Sequence, residues 1–118
     1  MTEIAKALKA FYSQFQIPAY AEDNVPSDVE LPYITYTVPQ SGVFEAATHQ
    51  VRVWYAGTSN APVNAKADEI IAAIGHGTAL RAGRGIVCID PGTPLAQMQP
   101  GDDKTRIVYI NLALRCYV

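Results

Sequence analysis

Near its start the chain carries a stripe: Ile4, Leu8, Phe11 and Phe15 recur at spacings of four, three and four, the rhythm of a helix with one apolar face. Thr2 is placed to cap this helix and Pro18 to stop it. Residues 19–31, AYAEDNVPSDVEL, have no period and read as an acidic surface loop. The rhythm then changes to two. In PYITYTVP, Ile34, Tyr36 and Val38 alternate with Tyr33, Thr35 and Thr37, and Pro39 with Ser41-Gly42 bends or ends that strand. FEAATHQVRVWYA is a second strand, with Val51, Val53 and Tyr55 opposite Gln50, Arg52 and Trp54. The short separation predicts that the two form an antiparallel hairpin.

Helical spacing returns in TSNAPVNAKADEIIAAIG. Ser59 or Asn60 can accept from its first amides, Pro62 fits its first turn, and Val63, Ala67, Ile70 and Ile74 form the inward stripe. Asp68 and Glu69 point outward, and Gly75 and Gly77 end the helix. GIVCID is a short apolar strand, PGTPLAQMQPGDDKT a connection, and TRIVYINLALRCYV the last strand. In that strand Val108, Ile110, Leu112, Leu114 and Cys116 alternate with Ile107, Tyr109, Asn111, Ala113 and Arg115. Apolar residues on both faces make it a central strand or one covered by a neighbouring subunit. The expected fold is a single α+β domain over residues 1–118, in the order α-β-β-α-β-β. About four antiparallel strands in one sheet would pack against two helices.

Composition adds a restraint and a suspicion. With 49% hydrophobic and only 17% charged residues, the chain has enough apolar surface for a core and fewer charges than a typical soluble domain. Self-association is the natural outlet for the surplus. A net charge of −2 gives no electrostatic reason to bind nucleic acid. No apolar run approaches the roughly 20 residues of a membrane span. Glu3, Lys6 and Lys9 interrupt any signal-peptide core, so a cytosolic site of synthesis is expected. Cys88 and Cys116 fit no metal spacing and read as buried reduced thiols in apolar strands, with a disulfide the weaker reading.

The stretch GHGTALRAGRGIVCID has the residue types of a reactive site. A phosphate loop, however, needs glycines after a strand and before a helix. Here they follow a helix, at the negative end of its dipole. Cys88 lies between Val87 and Ile89, an apolar setting that keeps a thiol protonated. The stretch reads as a joint, with no catalytic residue, cofactor or metal site assigned. Arg81 and Arg84 are then either a solvated turn or part of a contact. Residues 1–59 carry six acids and three bases, and residues 60–118 five acids and six bases. Such asymmetry could serve a head-to-tail contact in which Glu22, Asp23, Asp28 and Glu30 of one copy face Arg81 and Arg84 of the next.

The order of elements and several short signatures, LPYITY, VRVWYAGTSNA, IAAIGHG, ID-PGTP, QMQPGDDKTR and RIVYINLALRCYV, resemble those of a known group. The chain resembles the small minor capsid and tail-completion proteins of tailed phages and prophages, which include the tail terminators of long-tailed phages. That resemblance implies a virion structural protein without catalysis or cofactor. Its subunits would form a closed homo-oligomeric ring, commonly six-fold, at the head–tail junction. Its partners would be the tail tube and the head-completion or connector proteins, after a period in the host cytoplasm, with no membrane and no sequence-specific nucleic acid contact. Tyr33, Trp54 and Tyr109, outward by alternation, would then be subunit or partner contacts; as core on the covered side of the sheet they would need no partner. The long loops at 19–31 and 91–104 would adjust to tail and head proteins.

Two other readings compete. One is a small oligomeric enzyme or ligand-binding domain with a cleft between subunits, for which only His49, His76, Cys88 and Asp90 could supply a polar constellation. The other is a module that pairs with a partner through an open sheet edge.

Overall fold

A computed structural model describes residues 2–39, 47–99 and 101–117. The expected bend at Ser41-Gly42, the start of the second strand at Phe44, Pro100 of the expected connection and Val118 lie outside the described residues. The elements in chain order are α1 (Thr2–Ser13), β1 (Ala19–Ala21), β2 (Tyr33–Tyr36), β3 (Ala47–Ala56), α2 (Ala61–Ile74), β4 (Thr78–Ala82), β5 (Gly85–Gln99) and β6 (Thr105–Tyr117). The α+β class and the two helices are as expected. The sheet is larger than expected, with six strands among the described residues in the order β1-β2-β3-β6-β5-β4. It is also mixed: β1 runs parallel to β2, and every other pair is antiparallel.

The additional strands come from stretches that lack a period of their own. Ala19–Ala21 opens the acidic segment, and it is strand because Ala19, Tyr20 and Ala21 pair with Ile34, Thr35 and Tyr36. Thr78–Ala82, read as a turn, pairs along β5 from Ile89 back to Gly85. The expected connection after Asp90 is instead the continuation of β5. The strand bulges between Pro91 and Ala96 and then pairs with β6 again as far as Gln99 opposite Ile107.

Both helices lie on one face. The α1 stripe Ile4, Leu8, Phe11 and Phe15 is buried, as is the α2 stripe Val63, Ala67, Ile70 and Ile74. They meet Ile34, Val51, Val53, Val87, Ile89, Ile110, Leu112 and Leu114 from the sheet. Fully burying such a side chain contributes roughly 1.5–3 kcal/mol, which is what drives the two layers together. β6 is the central strand, flanked by β3 and β5. α1 contacts both edge strands, β1 and β4, so the sheet curls around it.

The helix ends depart from expectation in detail. Thr2 lies inside α1, and the helix stops at Ser13, before Phe15 and Pro18. The chain turns there through Gln16, whose φ is 72°. For α2 the cap is Ser59, whose Oγ accepts from the Ala61 amide at 3.2 Å, while Asn60 makes no side-chain cap. The Gly75 amide donates to the Ile71 carbonyl at 2.8 Å and that of Gly77 to Ile74 at 2.9 Å, so GHG is a helix stop.

Candidate functional site

The face of the sheet away from the helices holds the three aromatic candidates. Alternation along β2, β3 and β6 sets Tyr33, Trp54 and Tyr109 on this side, all half-buried. Tyr33 and Trp54 are register partners, and their rings stack 5.6 Å apart at 20°. Tyr20 approaches Tyr33 edge-on at 6.2 Å, and Trp54 Nε1 donates to Thr35 Oγ1 at 3.0 Å. Their partial burial therefore comes from packing on one another. Ile107, next in the row after Trp54, is buried on this side as well, lying close to Gly101 in the turn between β5 and β6.

Arg52 organises the adjacent row and was missed as a candidate. Its guanidinium carbon lies 5.0 Å from the centre of the Tyr109 ring. One nitrogen donates to Glu22 Oε1 at 2.9 Å, and Nε donates to Gln99 Oε1 at 2.9 Å. The only hint in the sequence was a lone arginine between Val51 and Val53, on the face it shares with Gln50 and Trp54.

The charged candidates are not brought together within one chain. Glu22, Asp23, Asp28 and Glu30 are exposed and follow β1 at one edge of the sheet. Glu22 is turned toward Arg52. Arg81 lies on β4 at the opposite edge, and Arg84 in the turn leading to β5. Both arginines are exposed.

The remaining polar candidates divide across the sheet. His49 is fully buried on the helix side. Its Nε2 is 2.8 Å from Tyr12 Oη and its Nδ1 3.3 Å from Thr37 Oγ1. Burial holds its pKa down at about 4, against a smaller opposing effect of the Thr37 backbone hydrogen bond. Burial likewise raises the Tyr12 phenol far above its ordinary value, with Tyr36 adding to the effect. Both groups are thus neutral and hydrogen-bonded to each other, which makes the pair a satisfied structural contact. Cys88 and Asp90 lie on the other face of the sheet. Asp90 sits beside Gly77, where a Cβ would fall 2.6 Å from Asp90 Oδ1. The sheet itself separates His49 from Cys88 and Asp90, and His76 is exposed in the link after α2.

Cys88 and Cys116 are both free thiols; Cys116 is buried as expected, which pushes its thiol up, whereas Cys88, on the helix-free face, is only half-buried. Among the described residues no group of three or more His, Cys, Asp or Glu is arranged to hold a metal. Of the surface depressions, the groove between α1 and β1 has a volume of about 480 Å³ and is bordered by Lys6, Lys9, Tyr20, Asn24 and Tyr36. It is open, and Lys9 is already engaged there, donating to the Ala19 carbonyl and lying 4.9 Å from the Tyr20 ring centre.

Comparison with protein-family models, curated proteins and solved structures returns no match. Among the described residues no helix is long and apolar enough to cross a membrane. The surfaces left to explain are the helix-free face of the sheet and its two edges.

Proposed function

We propose that this chain is a structural protein of a tailed phage or prophage virion. It assembles with its own copies into a ring at the head–tail junction, where it completes the tail and joins it to the head. The observation that carries the reading is the asymmetry of the two sheet edges. One is the three-residue strand β1, followed by an acidic segment; the other is the five-residue strand β4, followed by an arginine-bearing turn. Unlike edges on one subunit suit head-to-tail repetition, which closes into a ring when the rotation between copies allows it. The helix-free face, with its stacked aromatics and Arg52 network, is a broad and preformed surface of the kind that docks against another protein without large rearrangement.

Native mass spectrometry over a range of protein concentrations, with negative-stain electron microscopy, tests this. The expected result is a closed ring, six copies being the number implied by the resemblance to tail-completion proteins. A two-fold dimer as the only assembly, or a chain monomeric at every concentration that also fails to add to tail tubes, would remove the proposal.

A further inference from the structure

Two arginines and two exposed apolar side chains gather at one end of the helix-free face, with a third arginine in the adjoining turn. Ile86 and Tyr117 are 47% and 39% exposed and are register partners across β5 and β6. Arg81 on β4 is the next partner of Ile86. In the neighbouring row Cys88 lies opposite Arg115, and Arg84 occupies the turn between β4 and β5. Among the described residues the ion pairs are Lys6–Glu3, Arg52–Glu22 and Lys66–Glu69, so Arg81, Arg84 and Arg115 have no carboxylate partner there. The nearby acids are Glu3, already paired with Lys6 at 3.9 Å, and Asp90, two residues beyond Cys88. Among the described residues the patch is therefore net positive. A scattered exposed hydrophobe needs no explanation, but large apolar side chains in register and rimmed by arginine have the composition of an interface centre.

The opposite edge carries its complement. Asp23, Asp28 and Glu30 are exposed and have no ion-pair partner among the described residues; half-buried Val25 and Val29 lie between them in sequence and half-buried Leu31 follows Glu30. β1 and β4 are the two ends of the strand order, with α1 between them, so the two patches belong to different edges of one subunit. We infer that the Ile86–Tyr117 patch with Arg81, Arg84 and Arg115 receives the segment Asp23–Leu31 of a second copy of this chain. A two-fold contact centred on the arginine patch would set arginine against arginine, whereas a head-to-tail contact sets it against the acidic segment. The inference rests on the ring reading and assigns that ring its seam. It adds Arg115, Ile86 and Tyr117 to the contact and releases Glu22, which Arg52 holds within its own subunit.

Two charge-reversed chains test the seam. One carries Arg81→Glu, Arg84→Glu and Arg115→Glu; the other carries Asp23→Arg, Asp28→Arg and Glu30→Arg. Each alone has two edges of like sign and should assemble roughly tenfold or more less tightly than the unaltered chain, since close interfacial charge pairs are worth 1.5 kcal/mol or more. Mixed in equal amounts they should assemble again, in particles in which the two chains alternate, as read by native mass spectrometry. That recovery also shows that both variants are folded. Ile86→Ser should weaken assembly without changing its salt dependence. If the unaltered chain assembles and both reversed chains assemble equally well alone, or if their mixture stays dissociated, the seam is elsewhere and the ring reading survives. If the unaltered chain never assembles, either alone or on tail tubes, ring and seam fall together.

Discussion

The Tyr12–His49 contact has a consequence in pH. His49 is held neutral with its pKa at about 4 in the folded state, whereas in an unfolded chain a histidine titrates near 6.5. Between those values the unfolded chain binds a proton that the folded one refuses. Stability is therefore unaffected by this group above about pH 6.5 and falls as the pH drops toward 4, by on the order of 3 kcal/mol in all. Urea unfolding at intervals between pH 7 and 5, a window largely clear of carboxylate titration, should show the slope. The variant His49→Gln should lose that slope whatever its overall stability; a slope that persists would assign it to another group. A second single-residue effect concerns space. A Cβ on Gly92 would lie 2.6 Å from the Asn111 backbone oxygen, inside the bulge that Asn111 Nδ2 steadies by donating to the Thr93 carbonyl at 3.3 Å. Gly92→Ala should cost about 1–3 kcal/mol in thermal or denaturant unfolding, because backbone rather than a pliant side chain must yield.

The link between α1 and α2 depends on a lysine set within the inward stripe of α2, three residues after Val63 and four before Ile70. Lys66 is 93% buried by its neighbours, being only 7% exposed. Its Nζ donates to the Phe15 carbonyl at 2.9 Å and to Glu69 Oε2 at 3.0 Å. The apolar stem lies among the core side chains while the ammonium closes the orphan carbonyl just past the end of α1. Lys66→Met keeps the stem and removes the donor, so it should lose about 1–2 kcal/mol in urea unfolding, and full stability in that variant would mean that packing alone matters. Both helices and the faces of β2, β3 and β6 were legible because each has its own period. β1 and β4 were not, since short runs such as AYA and TALRA become strands only by pairing with β2 and β5. The second half of β5 was hidden by Pro91, Gly92 and Pro94, which mark a bulge here and not the end of the strand. Of the candidate surface, Tyr33, Trp54 and Tyr109 could be placed on one face by alternation. The Glu22–Arg52–Gln99 contact could not, because it joins residues brought together only by strand order.

Across the whole molecule, one curled sheet is closed from inside by α1 and bridged through its middle by β6. Hydrogen exchange should find the amides of β6 and the facing part of β3 slowest, since exposing them requires the sheet to part, while β1 and β4 exchange through local opening at the edges. Chains ending before residue 105 should show no cooperative unfolding transition, because β3 and β5 then lack the strand between them. The same arrangement bears on synthesis. β6 leaves the ribosome after every other strand, so until residues 105–117 emerge the nascent protein holds two half-sheets whose inner margins are unpaired and rich in valine and isoleucine. Margins of that kind invite mispairing between neighbouring chains. Slower translation at reduced temperature or an attendant chaperone should therefore raise the soluble yield.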